Sequence, residues 1–153
     1  MMATIVTIAI VLHLVGVVIW VGGMFFAHMA LRPAAVSLPV EVRLPLFGRV
    51  FDRFFPWVWA AVLVILLTGY GSLFFALGGL ASARPSIHIM MFLGSLMSLL
   101  FFYLWFFPYR ALQMALKAGE FPTAGHHQAR IRQIIAINLV LGLITIAVAV
   151  GIH

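Results

Sequence analysis

Residues 3–31 read ATIVTIAIVLHLVGVVIWVGGMFFAHMAL, a run with no Asp, Glu, Lys or Arg. As a helix it would reach about 43 Å, more than the ~30 Å hydrocarbon core of a bilayer. In lipid the backbone must satisfy its own hydrogen bonds, so the run is a transmembrane helix. Three further apolar stretches, at 54–79, 86–107 and 133–152, are each near or above spanning length. The chain of 153 residues is 65% hydrophobic and only 8% charged, far from the composition of a soluble domain. The expected fold is all-α: one integral-membrane domain over residues 1–153, a bundle of four helices with no room for a soluble module. With no basic residue before it and a length beyond a signal-peptide core, the first span is expected to be retained.

The basic residues set an expected topology. Arg32, Arg43, Arg49 and Arg53 follow the first span, and Arg110, Lys117, Arg130 and Arg132 follow the third, whereas only Arg84 follows the second. This asymmetry puts the first and third connections in the cytoplasm and both chain ends on the outer, periplasmic side of a bacterial inner membrane. The net charge of +6 lies beside span ends, so it reads as topology and lipid-headgroup contact, with no nucleic-acid partner. Trp57, Trp59, Trp105 and Tyr109 fit an inner aromatic belt. Pro33 follows the end of helix 1, while Pro56 and Pro85 suit the first turns of helices 2 and 3. A short interfacial helix is expected around 43–54, with Asp52 capping helix 2. Helix 3 is expected to run past the membrane to a cap at Gly119, followed by a polar loop, TAGHHQ, holding His126 and His127. Gly23 with Ala27, Gly94 with Ser98, and Ala147 with Gly151 are spaced for close helix packing. Asn138 is expected to bond across to another helix, and Thr145 is the other main polar group of helix 4.

The chemistry concentrates in the histidines. Counting from the basic span ends at about 1.5 Å per residue, His13, His88 and His153 lie roughly 28, 33 and 31 Å away, so three helices bring a histidine to the outer layer of the membrane. Tyr70 falls near the same level. His28 lies deeper, and no other span supplies a histidine there. At 100° per residue His13, Gly16, Trp20, Gly23 and Ala27 share one stripe, so His13 stands on a face of small residues. Those glycines leave a recess for a planar ring or for a neighbouring helix. Trp20 is expected inside the bundle.

The chain has no cysteine, which excludes disulfides, iron–sulfur clusters and covalent haem attachment. Two chemistries then fit. In the first, His13 and His88 ligate a haem b iron from facing helices, with the ring in the recess of Gly16 beside Trp20 and Arg84 on a propionate. This reading is of redox or electron-transfer type, with a quinone or a periplasmic redox protein as partner, and includes a membrane oxidoreductase. In the second, His13, His88, His153 and Met91 bind a copper ion, since imidazole and thioether suit Cu(I). A homodimer fits the copper reading, as it does a purely structural or assembly role. With three acidic residues in all, a carboxylate proton relay is not expected.

The stretch LHLVGVVIWVGGMFF at 12–26, followed by LRPA at 31–34 and by RFFPWVWA at 53–60, resembles the CopD-like bacterial inner-membrane proteins. That group is in turn similar to HemJ-type protoporphyrinogen oxidases. The resemblance implies a compact helical membrane domain concerned with copper uptake or with haem and redox chemistry. It also implies that His13 is the first-span histidine that serves as a haem ligand in HemJ-like proteins.

Overall fold

A computed structural model describes residues 2–76 and 78–151. Four helices are long and apolar enough to cross a membrane: α1 (Ala3–Ala35), α2 (Val40–Phe75), α3 (Pro85–Lys117) and α4 (Phe121–Gly151). No strand occurs among the described residues. The all-α four-span architecture is therefore as the sequence implies. The segment that cannot be placed on this description is the C-terminal His153, one of the copper candidates, which lies outside the described residues.

Each helix is longer than its apolar run, because amphipathic turns extend it past the membrane. Helix α2 begins at Val40, not near residue 54, and absorbs both the expected interfacial helix and Pro56. Its continuity comes from a buried stripe of Leu44, Phe47, Phe51, Phe55, Val58 and Val62, spaced three and four residues apart. Burial of that stripe outweighs the two backbone bonds lost at Pro45 and Pro56. Asp52 consequently sits inside the helix and caps nothing. Its carboxylate instead accepts hydrogen bonds from Tyr109 Oη and from Gln113 Nε2, the latter at 2.9 Å.

The start of α4 differs from the sequence expectation for a similar reason. TAGHHQ is helical, not a loop, because Ala124 is fully buried and Gly125 lies close to Leu44 of α2. Helix α3 ends as expected at Gly119, whose φ of 71° is the left-handed value. Glu120 N donates to Ala115 O at 2.9 Å and Gly119 N to Leu116 O at 3.2 Å, the paired bonds of a Schellman cap.

Three stretches widen into π-type turns: Val18–Gly22, Ala27–Leu31 and Trp105–Tyr109. The last contains Pro108, and Ala27–Leu31 leads into Pro33, which lies within α1 rather than after it. A proline ring collides with the carbonyl four residues back, and widening relieves the collision. Val18–Gly22 contains no proline. It turns Trp20 and Val21 into the protein interior, and such turns often border functional sites.

Packing divides the bundle into two ends. Helix α1 packs chiefly on α2, and α3 on α4, whereas α2 and α3 touch little although they are consecutive. At the end carrying the two short connections, the core is aromatic. Phe51 stacks on Phe55 at 5.1 Å, and Phe55 meets Tyr109 at 4.9 Å and Trp105 at 6.0 Å. Trp59 stacks on Phe102 at 5.1 Å. Of the expected aromatic belt only Trp57 faces outward, since Trp59, Trp105 and Tyr109 gain more contact by packing between helices. At the other end the two helix pairs part and leave a cavity.

Candidate functional site: a histidine and methionine cavity between two helix pairs

The cavity has a volume of about 420 Å³ and is walled by all four helices, from Ala9 to Val21, Ile65 to Leu73, Ile87 to Met97 and Gly142 to Val150. Its floor is where α1, α3 and α4 converge. A methyl group at Gly142 would lie 2.9 Å from Val21 Cγ2 and 3.3 Å from Met97 Cε, so the absence of a side chain there is what lets the three helices meet. Trp20 is buried beside them, edge-on to Phe101 at 6.3 Å.

His13 lines the cavity from α1. Its Nδ1 lies 2.8 Å from Thr68 Oγ1 on α2, and Thr68 Oγ1 lies 2.6 Å from Val64 O one turn back. A threonine hydroxyl has one proton, and the short bond to Val64 O uses it. Thr68 Oγ1 is thus the acceptor for His13 Nδ1–H, which leaves Nε2 with a free lone pair. The ring also lies over Gly69, where a methyl group would sit 3.5 Å from His13 Cε1. Together these contacts fix the tautomer and orientation of an imidazole that keeps one nitrogen available.

On α3 the cavity face is Ile87, Met90, Met91, Gly94, Ser95 and Met97. Three thioethers, Met90, Met91 and, at the floor, Met97, therefore share the space with His13. Ser95 Oγ bonds Tyr70 Oη at 2.9 Å, bridging α3 to α2. Thr145 Oγ1 donates to its own helix at Leu141 O. Among the described residues no Asp, Glu, Lys or Arg lines this cavity.

The remaining candidates fall elsewhere. His88 is exposed and does not line the cavity. The lining residues of α3 spread over about 160° of its circumference, from Met97 to Ser95, and His88 lies just beyond the Ser95 edge of that face. Arg84 is an exposed residue at the N-cap of α3 and is likewise outside the lining. Of the three residues expected around a haem, His13, His88 and Arg84, only His13 lines the cavity. The recess expected beside His13 is filled by α2. A methyl at Gly16 would lie 3.0 Å from Ile65 Cγ1, and one at Gly23 would overlap the Phe54 ring. Gly94, expected in a helix contact, instead faces open space in the cavity wall. Gly151 also meets nothing within 4 Å. Asn138 does bond across, its Nδ2 donating to Met97 O at 3.1 Å.

Among the described residues no group of three or more His, Cys, Asp or Glu side chains converges. A cavity with one imidazole and thioethers fits a soft monovalent ion and not a hard divalent one, which needs oxygen ligands. Thr68 and Ser95 were not singled out as ligand or positioning groups from sequence. The signal for Thr68 was available, as it lies two residues from Tyr70 at the level of the histidine layer.

No curated protein and no solved structure matches the chain. The family model of CopD, described as Copper resistance protein D, matches residues 48–152, which runs from within α2 through α4 and does not reach α1. Nothing in that match supports the HemJ-type similarity. With well over half of its length matched, the chain is a multi-pass membrane protein of the CopD family.

Proposed function

We propose that this chain handles copper as cargo, receiving Cu(I) in the cavity between its helix pairs on His13 Nε2 and the thioethers of Met90 and Met91. One observation carries the reading: Thr68 commits His13 Nδ1, so the free nitrogen belongs to a cavity whose other soft donors are methionine sulfurs. Family membership supports a role related to copper resistance. The donor set is the chemical argument for the monovalent ion, since thioethers bind Cu(I) well and Zn or Mg poorly. A site this roomy, with so few donors among the described residues, suits an ion in transit. The cavity end faces the periplasm of a bacterial inner membrane, following the asymmetry of basic residues, and a periplasmic copper donor or acceptor is its partner.

The test is a Cu(I) competition titration of the purified protein against a chromophoric chelator, with an optical spectrum of the same haem-replete sample. The expected outcome is about one Cu(I) bound per chain, lost in His13→Ala and weakened in Met90→Leu/Met91→Leu, with no Soret band. Copper binding unchanged in His13→Ala would overturn the proposal. A Soret band that disappears in His13→Ala would replace it with the haem reading.

A further inference from the structure

At the opposite end of the bundle a second cavity, of about 700 Å³, opens between the end of α1, the start of α2 and the start of α4. Its lining includes three arginines from three helices: Arg32, Arg43 and Arg132. Glu41 is the only carboxylate in it, so the lining carries a net charge of about +2. Arg43 Nη1 donates to Val36 O at 3.2 Å, which holds that guanidinium against the α1–α2 turn while its other N–H groups remain available. Gln128 adds an amide. The rest of the wall is apolar, with Leu44 and Phe47 buried beneath it and Phe121 alongside.

Two chemistries thus meet in one space. A cluster of guanidinium forks matches the oxygens of a phosphate, which it can hold through paired hydrogen bonds. An apolar wall beside it matches a hydrocarbon segment attached to that phosphate. Inorganic phosphate would use the first and leave the second, and most of the volume, without a partner. Arg49 and Arg53 lie on the same helix as Arg43 but outside the lining. The basic residues of this end therefore divide into three that line one cavity and others that do not, which a purely topological role does not require.

We propose that this cavity is a binding site for an acidic glycerophospholipid, with Arg32, Arg43 and Arg132 on the headgroup phosphate and the Phe47 and Phe121 wall against the glycerol and first methylenes. Such a lipid would tie α4 to the α1–α2 turn. The proposal stands on different residues from the copper cavity and does not depend on it.

The test is native mass spectrometry of the full chain in neutral detergent, with dioleoylphosphatidylglycerol, dioleoylphosphatidylcholine and inorganic phosphate offered separately. Wild type is expected to retain phosphatidylglycerol in clear preference to phosphatidylcholine, and millimolar phosphate is expected neither to bind nor to displace it. R32Q/R132Q is expected to lose retention by about tenfold or more. R49Q/R53Q removes the same charge and is expected to retain the lipid as wild type does. Thermal unfolding by circular dichroism reports whether each variant is folded. If R32Q/R132Q does not fold, R132K, which keeps the charge and removes the fork, is expected to weaken retention several-fold. Equal losses in the two double variants, no loss on changing Arg132, or displacement by phosphate alone would each overturn the proposal.

Discussion

His13 Nδ1 and Thr68 Oγ1, 2.8 Å apart on facing helices, form a bond whose direction is set by a third group, Val64 O. The threonine is a positioning residue: it touches the imidazole and decides which nitrogen is free. Replacing it by valine keeps the shape and removes the acceptor. Thr68→Val is expected to lower Cu(I) affinity by about 10-fold or more, the usual effect of losing a partner that orients a ligand. Thr68→Ser, which keeps the hydroxyl, is expected to stay near wild type. The competition titration used for His13→Ala reads both.

Gly94 offers a way to close the cavity without disturbing the bundle. A methyl group there would meet nothing within 4 Å, and the residue is part of the cavity wall. Gly94→Leu is expected to abolish Cu(I) binding while thermal unfolding in detergent stays within a few degrees of wild type. A large loss of stability would mean that the space is not open.

Adjacent glycines in α1 are expected to respond in opposite ways to the same change. Gly22 has open space around it, whereas a methyl at Gly23 would overlap Phe54. Gly22→Ala is expected to be neutral or slightly stabilising, consistent with the ~0.5–1 kcal/mol preference of a helix for alanine. Gly23→Ala is expected to cost about 1–3 kcal/mol through overpacking, and Gly23→Ala combined with Phe54→Leu to recover much of it. Denaturant titration of the detergent-solubilised protein compares the three.

The turn between α3 and α4 depends on a left-handed residue. Gly119 has φ of 71°, a region that costs a side chain about 1 kcal/mol or more. Gly119→Ala is expected to destabilise by that amount, and Gly119→Asn by less, because asparagine tolerates the conformation. Thermal unfolding of the two variants gives the order.

Close approach separates what could be read from the chain and what could not in α3. Its existence, length and capping glycine were all legible, because an apolar run, a proline at the first turn and a glycine after a basic turn are local signals. The side on which its chemistry falls was not. His88 and Met91 are both in HIMM, yet only the methionines line the cavity. Depth along a helix follows from counting residues, but rotation is set by which neighbours the helix meets, and here Gly142, Val21 and Met97 set it.

The same division holds for the protein as a whole. The sequence by itself determined a helical membrane protein of four spans, since an apolar run of spanning length has one viable backbone conformation in lipid. It also determined that any metal site must do without thiolate, leaving histidine, methionine, carboxylate and backbone groups, since there is no cysteine. Only the tertiary structure decided that the glycine face of α1 meets α2 and not a flat ligand, that Thr68 fixes the tautomer of His13, and that Arg132 joins Arg32 and Arg43 around one cavity. Each of these is a contact between helices far apart in the chain, settled by which side chains fit together at close range, and no local pattern of residues encodes that fit.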